Sequence, residues 1–152
     1  MQKRIYLLLF LVAVAPASIA ANGAEAKVKD VIGRFHQALE RRDVSAVEDL
    51  VSPEIVVLEN GHRNDGWVDF RDNHLVPEFK EPAQPSKWEF VKVTVGSKMA
   101  WGYTKQTIDV TGKDGNHSGY LVWSAYVLQK TGHTWKVALL NWSVRRLGAG
   151  ES

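Results

Sequence analysis

Between Lys27 and Arg41, apolar side chains return at three- and four-residue steps (Val28, Val31, Ile32, Phe35, Leu39), which is the spacing of one helical face. Asp43 can cap a second, shorter helix carrying Val44, Val47, Leu50 and Val51, with Ser52-Pro53 closing it. The β-branched run from Glu54 to Glu59 predicts a strand, and Asn60-Gly61 a turn after it. Asp65 can cap a third helix from Gly66 to about Val76, with Trp67, Phe70 and His74 along one side. Lys80 to Lys87, interrupted by Pro82 and Pro85, reads as a connector.

Beyond the connector the period changes from helical to alternating. Trp88 to Val95, Met99 to Val110, Gly119 to Lys130 and Thr134 to Arg146 are β-prone runs separated by Gly-containing turns, which predicts consecutive antiparallel hairpins. Three N-terminal helices followed by a meander make an α+β layout, the helices covering one face of a curved antiparallel sheet. On the last strand, unbroken alternation sets Trp135, Val137, Leu139, Asn141 and Ser143 against Ala138, Leu140, Trp142 and Val144. The strand before it sets Tyr120, Val122, Ser124 and Tyr126 against Leu121, Trp123, Ala125 and Val127. Both faces are apolar and the helices can cover only one, so a homodimer through the other is expected.

The first residues change the picture of location. Lys3 and Arg4 precede an eleven-residue apolar run, Ile5 to Ala15, then Pro16 and the small residues Ser18 and Ala20. This pattern predicts a secretory signal peptide over residues 1–20 and delivery to the periplasm or the medium. The run is well short of the ~20 residues of a membrane-spanning helix, so no membrane association is expected after cleavage. Residues 21–26 then form a flexible lead-in, 27–147 a single domain and 148–152 a tail. Loss of Lys3 and Arg4 reduces the 19 basic residues to the same number as the 17 acidic ones, which argues against a nucleic-acid partner. With no cysteine, disulfides and thiolate metal sites are excluded, and six tryptophans supply apolar area for a core.

Candidate chemistry concentrates between Val56 and Glu78, where Glu59, His62, His74 and Glu78 stand among Val, Trp, Phe and Leu. Titratable groups in apolar surroundings need partners, and here they point to a cavity with acid/base or ligating capacity. His74 shares a helical side with Trp67 and Phe70, and Glu78 follows at a pairing distance that Pro77 interrupts. Glu59, His62, His74 and Glu78 together offer donors for Zn²⁺ or Fe²⁺, but their spacing matches no established motif, so no metal and no cofactor is assigned. Trp101, Tyr103, Tyr120 and Trp123 can line a cavity or fill a core. His36 reads as structural or surface, and His117 and His133 as solvated loop residues.

The helix–helix–strand opening, the segment Gly66-Trp67-Val68-Asp69-Phe70-Arg71-Asp72 and the closing Trp135-Lys136-Val137 and Asn141-Trp142-Ser143 resemble the NTF2-like, SnoaL-like (DUF4440) proteins, over about Lys27 to Arg146. The resemblance implies a cone-shaped α+β barrel with a pocket between sheet and helices. The superfamily includes ketosteroid isomerase, scytalone dehydratase, polyketide cyclases, a kinase association domain and non-enzymatic binders. The expected lining is Trp67, Phe70, Glu78, Trp101, Tyr120 and Asn141. In isomerase-like relatives a catalytic carboxylate sits near where Glu59 closes the first strand. Many relatives carry His where this chain has Asn141, and Asn cannot act as a general base. The expectation is therefore a protein that binds a small, largely apolar molecule. The alternative is a cofactor-independent isomerase, dehydratase or cyclase, with Glu59 as base and His74 as acid or orienting group.

Overall fold

The computed structural model describes residues 17–112, 115–148 and 151, with side chains from residue 23 onward; residues 1–16 of the expected leader lie outside the described residues. Helix α1 (Ala17–Glu40) buries Val28, Ile32, Phe35 and Ala38 completely, the stripe its apolar spacing requires. It runs unbroken through residues 21–26, where a flexible lead-in was expected. Asp43 caps α2 (Val44–Glu48) by accepting the Ala46 N–H at 3.0 Å. Val51, Ser52 and Pro53, expected to end that helix, already belong to β1 (Val51–Glu59).

Asn60 and Gly61 both take positive φ (47° and 86°), the requirement of a two-residue type I′ turn. The chain therefore folds straight back as β2 (His62–Asp65), a strand of polar residues with little β-propensity that the pattern did not announce. Strands β3 (Ser86–Val95), β4 (Met99–Thr111), β5 (His117–Thr131) and β6 (Thr134–Arg146) form the meander. All six strands make one curved sheet in the order β2-β1-β6-β5-β4-β3. The expected all-antiparallel sheet needs correction at one seam: β1 runs parallel to β6. No hairpin joins those two strands, so no tight turn forces them antiparallel.

The layout of three N-terminal helices is also corrected. The third helical stretch follows the β1–β2 hairpin and comes in three pieces: α3 (Trp67–Phe70), a π-helical turn (Arg71–Leu75) and α4 (Val76–Glu78). Gly66 (φ 83°), not Asp65, is its N-cap, and the Asp69 carboxylate accepts the Asp65 N–H at 2.8 Å. Pro77 explains the π turn. It has no N–H to give the Asn73 carbonyl four residues back and its ring crowds that group, so the preceding turn widens.

A second irregularity decides which side chains face inward. Val127 pairs with Leu139 but Leu128 with Val137, which leaves Ala138 as an extra, bulged residue in β6. Trp135 and Val137 face the core, and after the bulge Leu140, Trp142 and Val144 take over that face. Unbroken alternation had grouped Asn141 with Trp135 and Val137; the bulge turns it outward.

Against the inner face, α1 packs over Ala100, Tyr126, Leu128, Val137 and Leu140 in one core. The strands outrun the helix. Past Glu40 their inner face continues as Gln106, Ile108, Val110, Tyr120, Val122, Trp142 and Val144, which line a cavity of about 360 Å³. The outer face is uncovered, with Trp101 and Trp123 each about two-fifths exposed (44% and 40%).

Candidate functional site

On β1, Ile55, Val57 and Glu59 share one side by alternation. Ile55 and Val57 are buried in the core; Glu59, the last residue, carries the same face beyond the core to the cavity wall. Parallel pairing sets Glu59 beside Trp142, another lining residue. Glu78, at the end of α4, enters the same cavity from the helical side together with Phe79. Leu39 and Arg42 close it from the end of α1 and the loop after it, and the Arg42 guanidinium lies 5.1 Å from the Phe79 ring.

His74 does not line the cavity. It stands behind the two carboxylates, its ring tilted against Phe70 (5.3 Å between centroids) and Trp142 (5.5 Å). Its Nε2 is 3.0 Å from Glu59 Oε2 and 3.8 Å from Glu78 Oε2, and its Nδ1 is 3.2 Å from Asn64 Oδ1. The Nε2–Glu59 approach has hydrogen-bond length but is poorly aligned with the N–H direction, so its strength is mainly that of a charge contact. Glu59, chiefly, and Glu78 hold the His74 pKa above the ordinary imidazole range, while burial pulls the other way. Crowding by protein raises Glu78 above the usual carboxylate range, with His74 opposing the shift; over half of its side chain still meets water (56% exposed), which limits the effect.

A second polar group reaches the cavity from α1. His36 Nε2 lies 2.8 Å from the Tyr126 hydroxyl and 3.3 Å from Thr104 Oγ1, and the ring stacks on Trp88 with centroids 4.3 Å apart. Burial lowers its pKa to about 4, so the ring is neutral at ordinary pH, and burial pushes the Tyr126 hydroxyl up to about 12.

The sequence-derived residues thus divide. Glu59, Glu78 and Tyr120 line the cavity, and His74 joins them from behind. Trp67 (7% exposed) and Phe70 (0%) are core residues rather than lining, because α3 turns that side into the protein. Trp101 and Asn141 lie on the opposite face of the sheet in a shallow groove with Tyr103 and Trp123, and the Asn141 amide donates to the Leu58 carbonyl at 3.4 Å. His62 is exposed and lies outside the cluster of Glu59, His74 and Glu78, whose ligating atoms all fall within 4.8 Å of one another. Sequence reasoning missed Trp142, and of its two readings for His36 the structural one holds, the ring being buried. Three consecutive apolar residues, Ala138-Leu139-Leu140, break the alternation and were the available sign of the bulge. His36 lies one helical turn after Ile32, on the buried stripe.

A ketosteroid isomerase-like protein from Erwinia carotovora atroseptica superposes with a TM-score of 0.71 at 16% identity, covering 84% of this chain and 98% of that one. An NTF2-like superfamily protein from Salmonella enterica serovar Typhimurium gives 0.68 at 15% identity, covering 86% and 98%. A conserved protein from Planctomyces limnophilus gives 0.71 at 16%, covering 83% and 99%. At such identities the likeness is one of fold. No curated protein sequence matches the chain. The model of the SnoaL-like domain matches residues 28–145, from the first buried valine of α1 almost to the end of β6, and the chain therefore belongs to the SnoaL-like domain family.

Proposed function

We propose that this is an exported protein that holds a small, largely apolar molecule between the sheet and α4, with a polar group of that molecule against Glu59 and Glu78. What carries the proposal is the make-up of the cavity: Leu39, Phe79, Ile108, Val122, Trp142 and Val144 supply apolar wall, Glu59 and Glu78 stand together as a carboxylate pair, and Glu40, Arg42 and Gln106 add further polar groups. A volume of about 360 Å³ falls within the usual range for small-molecule sites. The experiment is a fluorescence and thermal-shift screen against flat hydrophobic molecules. A binder should perturb Trp142 emission saturably and raise Tm, and Ile108→Trp, which fills the cavity, should abolish both. No response from any chemical class, or equal binding by Ile108→Trp, overturns the proposal.

The 3.0 Å contact between Glu59 and His74 favours a second reading, a cofactor-independent isomerase or dehydratase. Glu59 would move the proton, and His74, behind it, would act as a positioning residue. Asn141 faces away, so an oxyanion donor would come from the cavity wall, from the Tyr120 hydroxyl or the Gln106 amide. Deuterium exchange from D₂O into a bound ketone, lost in Glu59→Gln and kept in His62→Ala, would support it; exchange unchanged in Glu59→Gln would exclude it.

The outer face, with Trp101, Tyr103 and Trp123, is proposed to pair with a second copy of the chain. Light scattering should report a dimer that Trp123→Lys splits. Export predicts a processed N-terminus at Ala21, which intact mass measurement on protein from the source cells would check.

A further inference from the structure

We propose that Glu59, His74 and Glu78 form a site for a divalent first-row metal ion of the zinc type, at the carboxylate pair of the cavity. The starting point is Asn64. An amide oxygen can only accept, so the 3.2 Å contact from Asn64 Oδ1 places the ring hydrogen of neutral His74 on Nδ1. Nε2 then presents a lone pair, 3.0 Å from one carboxylate oxygen and 3.8 Å from another. With the ring neutral, three electron-pair donors converge, all within 4.8 Å of one another. Such an arrangement is unfavourable unless something positive sits among the three. A proton on Nε2, which the two carboxylates favour, is one occupant, held in a poorly aligned contact with Glu59; a metal ion is the other. A metal ion has no such alignment requirement toward the carboxylates.

The two distances from Nε2, 3.0 and 3.8 Å, suit an ion. Bonds of about 2.0–2.2 Å hold neighbouring ligands about 3 to 4 Å apart. Asn64 would supply the outer-shell hydrogen bond that metal-binding imidazoles commonly have on their other nitrogen. One imidazole and two carboxylates, without thiolate, match zinc, iron(II) or manganese rather than a soft-metal site. Glu59 and Glu78 border the cavity, so the ion's remaining positions would open toward it and offer a Lewis acid to an oxygen of a bound molecule. Arg42, across the cavity mouth beside Phe79, is the opposing charge and should weaken the site. The metal site uses the same carboxylate pair as the ligand proposal but none of its apolar wall, so the two can fail separately.

The test uses tag-free protein, stripped with a chelator and titrated with Zn²⁺, and with Co²⁺ as a visible probe. Binding of a single equivalent is expected, with a Co²⁺ d–d band. His74→Ala and Glu59→Gln should weaken it at least about tenfold, and Asn64→Ala by about tenfold. Glu78→Gln, at a half-exposed position that leaves folding intact, should also weaken it, whereas Arg42→Ala should tighten it and His62→Ala should change nothing. Substoichiometric Zn²⁺ in the unmodified protein overturns the proposal. So does a loss in His62→Ala equal to that in His74→Ala, or unchanged binding in Glu78→Gln. If zinc binds but the metal-free and zinc-loaded forms both ignore every apolar probe, the ligand proposal alone falls.

Discussion

The inner face of the sheet has two ends built from the same strands, with the bulge in β6 between them. At the end under α1, Tyr126, Leu128, Val137 and Leu140 meet Ile32 and Phe35 and no room is left. At the other, Val122, Trp142 and Val144 continue that face with no helix α1 above them, and Glu59 and Glu78 stand where a core would have placed apolar residues. Strand composition changes little between the two. The length of a helix changes a great deal, because α1 stops at Glu40 while β4, β5 and β6 run on. One end holds the protein together, and the other is free to carry charge.

The comparison is broken most severely from the closed end. Phe35→Ala leaves a void under α1 and should cost about 3–5 kcal/mol in urea unfolding. His36 marks the boundary between the ends and gives the next largest effect, through pH. Its folded pKa of about 4 lies below the ordinary 6.5, so the folded state prefers the neutral ring. The stability this contributes is complete above pH 6.5 and is lost as pH falls from 6.5 through 4, roughly 3 kcal/mol in all. Unfolding at pH 7 and pH 4 should show that drop, and His36→Gln should flatten it. Gly102→Ala is expected to cost about 1–3 kcal/mol, since a Cβ there would come within 2.8 Å of the Lys92 carbonyl. At the open end, Glu78→Gln should move stability by less than about 0.5 kcal/mol. A cost comparable to that of Phe35→Ala would mean that the open end is core after all.

Elements fixed by local spacing were legible in the chain. The stripe of α1 and the hairpins of β3 to β6 follow from period and turn residues within a few positions of each other. What was not legible depends on departures from the ideal period or on distant partners. Ala138 shifts the strand frame and sends Asn141 outward; past the π turn, His74 keeps its contact with Phe70 but stands behind the carboxylates rather than in the cavity. The parallel seam between β1 and β6 joins residues about 80 positions apart, beyond any local signal. Within the candidate site, Glu59, His74 and Glu78 stood out as residue types in apolar company. Their order from the cavity inward, carboxylates first and imidazole behind, came from the seam and the widened turn together.

The bulge at Ala138 acts on β6 as a frameshift acts on a message. Loss of that single codon would join Val137 directly to Leu139 and keep Leu140, Trp142 and Val144 on the cavity side, whereas drawing Ala138 into the regular ladder would present Asn141 to the cavity in place of Trp142. In a sheet of this kind, whether one extra residue is bulged or paired decides which side chains make up the binding surface beyond it.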